Sequence, residues 1–449
     1  MMISKRNQRI IFIPIEVKNR EFYPKLLLAS YCLKKNFSVF FGSKKSVFRA
    51  LNRFSPGIYF HKSINYTDLE FIKEIKTKKN FYVSLDEEGG FGFSTKKDLN
   101  KFLNFRSSKQ NMNLIDRIFT WGAFDEDVWK KKYPSYKKKI VNFGGPRIDL
   151  WKEKNVKKIF DEDIKNIRKK YKDFILVLAS GHTSRKEINK VFRLDSKWRN
   201  FKNDSQKTRR LAVLKNELKL FQMFLETIFD LCRFYPKEKF VLKPHPIQSK
   251  EDWKKISKKF PNNLLFEDNI ETSPLIYCSK GILQTSSSTA IQSYLLKRNV
   301  VSYRPKKIYF ERNFGNYFGK IVVNSEQMRE SVKNLTQFKI KKKNLDKRIN
   351  SRLFFSKIDN SKRIADYLFR FCPINNKVNL LKIYFYSFLF KIYDIFSPII
   401  TLNIKKTNYA NRSYKEKMDS GISKHEIKNF FAKINLKKIK VIKTCKDGY

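Results

Sequence analysis

Short apolar runs alternate along this chain with longer stretches whose apolar residues recur at helical spacing. Ile10 to Val17, Ser38 to Gly42, Ile58-Tyr-Phe-His61, Phe81-Tyr-Val-Ser-Leu85, Arg117-Ile-Phe-Thr-Trp121 and Ile140-Val-Asn-Phe143 read as strands, and Tyr23 to Lys35 as a helix. A second series begins at Phe174 to Ser180 and passes through a long helical stretch, Leu211 to Tyr235. It continues with Phe240 to Pro246, a short helix at Thr272 to Tyr277, a strand opening at Gly281, a helix at Ala290 to Lys297 and a strand at Val300 to Pro305. Parallel strands need a crossover, so strands separated by helix-length segments predict parallel sheets. The expected fold is α/β, with two Rossmann-like domains at 1–151 and 172–335. A charged helical connector at 152–171 joins them, basic helices follow at 336–376, and 377–449 is an aromatic and basic tail.

The 449 residues suit more than one domain, and a 41% hydrophobic content is enough for substantial cores. The formal net charge of +55 changes the picture most. Part of it is Lys filling solvated faces, and the rest favours an anionic membrane surface, a nucleotide or an anionic glycan. Nucleic acid is not expected, since no zinc-finger spacing, RNP-like aromatic pattern or isolated basic arm is present. Five scattered cysteines (Cys32, Cys232, Cys278, Cys372 and Cys445) form no CxxC and suit a reducing cytoplasm. The run Ile10-Ile-Phe-Ile-Pro-Ile15 is too short for a signal-peptide core, contains Pro and meets Glu16 at once. Residues 377 to 402 are heavily apolar and aromatic, but Lys382, Lys391 and Asp394 interrupt them. That pattern suits an interfacial helix on the inner membrane face, or a helix packed on the body, better than a membrane span.

Candidate chemistry collects at strand ends. In parallel α/β sheets ligands sit beyond the carboxyl ends of the strands. Lys243-Pro-His-Pro246 ends one strand, and Gln284-Thr-Ser-Ser-Ser-Thr289 ends another and opens a helix. His245 with Ser286, Ser287, Ser288 and Thr289 predicts a nucleotide-phosphate site, with Lys243, Gln284, Thr285 and Gln292 beside it. Taken singly, each signal reads as a loop dipeptide or an N-cap. Gly181-His182 is a further possible substrate contact after the strand that opens the second series. In the first domain, Asp86-Glu87-Glu88 stands before Gly89-Gly90 at a strand end. Such a cluster suits a catalytic base or nucleophile in sugar chemistry, and crowding raises one pKa. An extended backbone would put Asp86 and Glu88 on one face, ranking them above Glu87. Arg147, after a Gly-Gly-Pro turn, could meet an anionic ligand. No GxGxxG follows the first strand, so no dinucleotide cofactor and no hydride chemistry is indicated; acyl chemistry is not indicated either. Asp125-Glu-Asp127 and Asp161-Glu-Asp163 lie in Lys-rich helical contexts and read as solvated faces, so no metal is expected. His61 ends a strand with no evident partner and reads as structural.

Taken in order, Asp86-Glu-Glu-Gly89, Gly145-Pro-Arg-Ile-Asp149, Lys243-Pro-His-Pro246, Ser286-Ser-Ser-Thr-Ala290 and Tyr303-Arg-Pro305 resemble a bacterial family of surface carbohydrate biosynthesis proteins. More distantly, they are similar to GT-B transferases that use CMP-activated sugars, such as Kdo and sialic acid transferases. The resemblance covers roughly residues 10 to 310. It implies two Rossmann-like domains facing a cleft, with the CMP phosphate held by His245 and the Ser286 to Thr289 cluster. It further implies a catalytic carboxylate from the acidic motif, no cofactor, and a glycan or lipid-linked acceptor. Two departures stand out: Ile291-Gln-Ser-Tyr294 lacks the Glu that often binds the donor ribose, and Lys297-Arg-Asn299 replaces the usual Gly-Lys-Pro. The rival readings are a polyol-phosphate transferase of the CDP-glycerol type and a non-enzymatic basic protein binding RNA or membrane.

Overall fold

The computed structural model describes residues 2–3, 9–65, 68–198, 201, 203–245, 248–285, 287–305, 314–337, 342–371, 381–389, 421–436 and 439–443. They divide into two compact units. The first is drawn from 2–91, 99–150 and 349–443, the second from 92–98 and 151–348.

In the first unit the strands are β1 (Met2–Ile3), β2 (Arg9–Ile15), β3 (Phe37–Ser43), β4 (Ile58–His61), β5 (Phe81–Leu85), β6 (Arg117–Thr120) and β7 (Ile140–Asn142). In the second they are β8 (Ile175–Ala179), β9 (Phe240–Pro244), β10 (Leu264–Phe266), β11 (Ile282–Gln284), β12 (Val300–Tyr303) and β13 (Lys320–Val322). A last strand, β14 (Lys440–Val441), returns to the first sheet. The first sheet has the order β14-β1-β3-β2-β4-β5-β6-β7, and the second β10-β9-β8-β11-β12-β13. From β3 to β7 all pairings are parallel, and only the edge pairs of β1 are antiparallel. Every pairing in the second sheet is parallel.

The strands form where β-branched and aromatic residues run without polar alternation. β3, β4, β5 and β8 are buried at every position, the pattern of strands covered on both faces. Helices Lys18–Lys34 and Asp204–Phe234 are the longest crossovers, and the second starts where the Asn203 side chain accepts the amide of Gln206. The core of the second unit packs Phe221, Phe224 and Ile228 of that helix against Ile175, Val177, Leu242 and Leu283 of the sheet. Each expected strand appears within a residue or two of its predicted bounds. The two-domain, GT-B-like α/β fold is thus the one observed.

Each sheet has one point where the strand order reverses. In the first, β3 lies on one side of β2 and β4 on the other; in the second, β9 and β11 flank β8. Crevices beyond such points are where α/β sheets take ligands.

Candidate functional site

At the reversal point of the first sheet, Glu16 follows β2 and Lys62 follows β4, and their charged ends meet at 2.5 Å. Beneath them Glu21 is fully buried, one turn into helix Lys18–Lys34. Its carboxylate accepts from Lys25 Nζ at 3.0 Å, from Arg20 at 3.2 Å and from the Glu16 amide at 3.1 Å. Lys25 Nζ also donates to the Pro14 carbonyl at 2.8 Å. Burial alone would raise the Glu21 pKa, but Lys25, Arg20 and Lys62 outweigh it and hold the carboxyl down at about 2.

The acidic motif after β5 does not continue as strand. The Gly89 amide donates back to the Asp86 carbonyl at 3.0 Å, and the Glu88 amide to Asp86 Oδ1 at 2.9 Å. This turn removes the shared face that an extended backbone would have given Asp86 and Glu88, and the three carboxylates meet different surroundings. Asp86 is gripped by two nitrogens of Arg106, at 2.9 and 3.2 Å. Glu88 is exposed and lies 3.5 Å from the same guanidinium. Glu87 is buried, and its Oε2 has no hydrogen-bond partner. Burial raises its pKa, and Glu21 adds to the rise; Lys25, Arg147 and Arg20 oppose it without cancelling it. Arg147 Nη1 lies 3.4 Å from the Glu87 carbonyl, so the structure does bring Arg147 to the motif.

Residues just after β6 clamp the turn. Trp121 Nε1 donates to the Asp86 carbonyl at 2.7 Å, and the Trp121 amide to Asp125 Oδ2 at 3.1 Å. Asp125 is therefore not part of a solvated face. It is 3% exposed, since it turns inward from the first turn of helix Ala123–Lys132, and burial pushes its pKa up to about 7. Asp161 to Asp163 do form the first turn of a helix, with Glu162 exposed. His61, expected to lack a partner, has two: its Nδ1 lies 2.8 Å from the Ser63 carbonyl and 2.7 Å from the Tyr82 hydroxyl. Burial lowers its pKa well below the ordinary value, and its structural reading stands. Asp149 accepts from Asn360 N, Ser361 N and Ser361 Oγ at 2.7 to 2.8 Å, and so caps helix Asn360–Phe371.

In the second sheet, side chains cross-tie the loops after β8, β9 and β11. Ser180 Oγ and Thr285 Oγ1 are 2.7 Å apart across the reversal point. Gln248 donates from Nε2 to the Gly181 carbonyl at 2.9 Å and accepts from the His245 amide at 2.8 Å. Gly181 needs its positive φ of 101°, which side chains disfavour, to bring that carbonyl round. His245 is exposed at the end of this arrangement. His182 is buried, with Nε2 2.9 Å from Glu217, and its Nδ1 is without a hydrogen bond. Ser287 Oγ accepts the Thr289 amide at 3.1 Å and lies 2.8 Å from Thr289 Oγ1. Ser288 leads into helix Thr289–Leu295 in α conformation, with no side-chain cap. Ser286 lies outside the described residues, as does Pro246.

The other sequence-predicted contacts face inward. Gln284 is fully buried and donates to Ser302 Oγ of β12 at 3.1 Å. Gln292 donates to Ser273 Oγ at 2.8 Å and so ties two helices together. Lys243 reaches the Ile270 carbonyl at 2.5 Å, and burial lowers its pKa. Among the described residues no three His, Cys, Asp or Glu side chains are grouped to hold a metal ion.

The two units, each built on a parallel sheet, give a GT-B-like fold, and solved structures share it. The chain is similar to a histidine-to-asparagine variant of the wall teichoic acid polymerase TagF, at 13% identity and TM-score 0.52, over 80% of this chain and 88% of that one. The same variant soaked with CDPG matches at 14% identity and TM-score 0.50, over 80% and 87%. A UDP-GlcNAc 2-epimerase from Methanocaldococcus jannaschii matches at 14% identity and TM-score 0.47, over 80% and 98%. Likeness at these identities is a likeness of fold. No protein-family model matches the chain, and no curated protein does.

Proposed function

We propose that the protein is a glycosyltransferase that takes a sugar from a nucleotide donor, a CMP-sugar in first place, to a growing surface polysaccharide or lipid-linked glycan. The observation that carries this reading is Glu87, a buried carboxyl with an unpaired oxygen at a strand end beside a lysine-rich reversal point. Its raised pKa suits a group that takes a proton at neutral pH. In this reading Glu87 accepts the proton of the acceptor hydroxyl. The hydroxyl oxygen bonds to the anomeric carbon, the bond from that carbon to the phosphate oxygen breaks, and the electron pair leaves with the nucleotide. The proposed donors to the nucleotide's phosphate are His245, Ser287 and Thr289, with Ser286 and Ser288 as further donors. Gly181 and His182 line the neighbouring loop. Asp86 and Glu88 neutralise Arg106, and Arg147 supports the Glu87 backbone.

The decisive experiment offers CMP-, CDP- and UDP-activated donors and follows nucleotide release. Glu87→Gln should bind CMP normally and lose roughly 10²- to 10⁴-fold in turnover. Near-normal turnover in this variant removes Glu87 from the chemistry. A second reading, polyol-phosphate transfer, is favoured by the fold shared with TagF, one form of which was soaked with CDPG. It predicts phosphorus left on the acceptor, where sugar transfer leaves none.

A further inference from the structure

Residues 381–389 form a helix laid against the first unit. Its inner side is fixed. Ile383 is fully buried, Tyr386 meets Phe54 edge-on at 5.8 Å, Lys382 Nζ donates to the Arg53 carbonyl, and Ser387 Oγ donates to the Lys443 carbonyl. Anchored this way, the helix turns its most apolar side outward. Leu381 is 80% exposed, Phe385 58% and Phe388 59%, with Tyr384 and Leu389 between and beside them. The spacing of three, four, seven and eight residues from Leu381 makes these five side chains one stripe. Cations border it: Lys382 and Lys440 are exposed, Lys440 Nζ lies 4.6 Å from the Tyr384 ring, and the Arg53 guanidinium lies 4.2 Å from the Tyr386 ring.

We infer that the 381–389 face docks on an anionic lipid surface, its aromatic stripe entering the headgroup boundary and its lysines meeting lipid phosphates. A continuous apolar stripe facing water marks an interaction site, and aromatic residues rimmed by lysine suit the bilayer interface. A second copy of the same face would set these cations against one another, so charge favours lipid over self-association. No helix among the described residues is long and apolar enough to cross a membrane, which leaves contact along the surface. The inference stands apart from the donor chemistry, and its assay contains neither donor nor acceptor.

The full chain should co-sediment with phosphatidylcholine vesicles containing phosphatidylglycerol, weakly with phosphatidylcholine alone, and less as salt rises. Phe385→Ser with Phe388→Ser should lower the partition coefficient at least about tenfold. Lys440→Gln should lower it roughly fivefold on anionic vesicles. All three residues are exposed, and unchanged thermal unfolding confirms that the variants fold. Unchanged sedimentation of either variant overturns the inference. So does a dimer in light scattering that the serine variant converts to monomer, since the stripe would then be a self-interface.

Discussion

Asp125 offers the sharpest test of the first unit, because its carboxyl is buried yet its nearest donors are only backbone and indole N–H groups. An aspartate whose folded pKa rises stabilises the fold least when ionised. Below the ordinary value of 3.8 both folded and unfolded chains carry the proton and nothing is lost. Between 3.8 and about 7 the unfolded chain releases its proton and the folded one keeps it, so stability falls as pH rises. The gap of about three pH units, at about 1.36 kcal/mol each, amounts to at most about 4 kcal/mol by pH 8. Asp125→Asn keeps the shape and an oxygen for the Trp121 amide but cannot ionise. Urea unfolding of both proteins at several pH values gives their stability difference, in which every other titrating group cancels. That difference should shift in favour of the variant by up to about 4 kcal/mol between pH 4 and pH 8, with the change centred between pH 5 and pH 7. A difference independent of pH refutes the reasoning, and so does one that moves the other way.

Two further outcomes probe each unit separately. His245→Ala should weaken CMP binding by about 1.5–3 kcal/mol, roughly 10- to 150-fold in Kd by calorimetry, while unchanged affinity takes His245 out of the phosphate site. Gly90→Ala would place its Cβ 2.5 Å from Asp125 Oδ1; it should cost about 1–3 kcal/mol in thermal unfolding and lower turnover while CMP binding holds. A variant as stable as the parent would show that the turn yields where the packing says it cannot.

The sheets were legible because parallel strands are written as unbroken apolar runs, and β4 and β5 match their predicted bounds to the residue. β10 and β13 are not among the expected strands, and the two-residue edges β1 and β14 hold too few positions for any period to register. Within the site, motif residues were visible and their surroundings were not. Glu87 differs from Asp86 through Arg106, Trp121, Arg147, Arg20 and the Glu21–Lys25 pair, which come from other parts of the chain. Asp125 was misread for a related reason: its lysine-rich helix looks solvated locally, and the Trp121 amide and the neighbouring Gly90 show that this one carboxylate of its first turn faces inward. One cue was available, since Glu16, Glu21 and Lys25 follow directly on an apolar strand where charge needs a reason.

The way the chain closes its first unit bears on the order in which the protein is completed during synthesis. Tyr31 donates to Asp359, Arg117 to the Tyr367 hydroxyl, Phe37 meets the Phe369 ring edge-on, and Asp149 waits for Asn360 and Ser361. None of these partners exists while a ribosome is still translating residues 151–348. The second unit, by contrast, is complete in sequence once residue 348 has emerged. Domains emerging from the ribosome ordinarily fold from the N-terminus onward. Here the earlier-made sheet lacks its edge strand β14 and these partners until translation has passed the later-made unit.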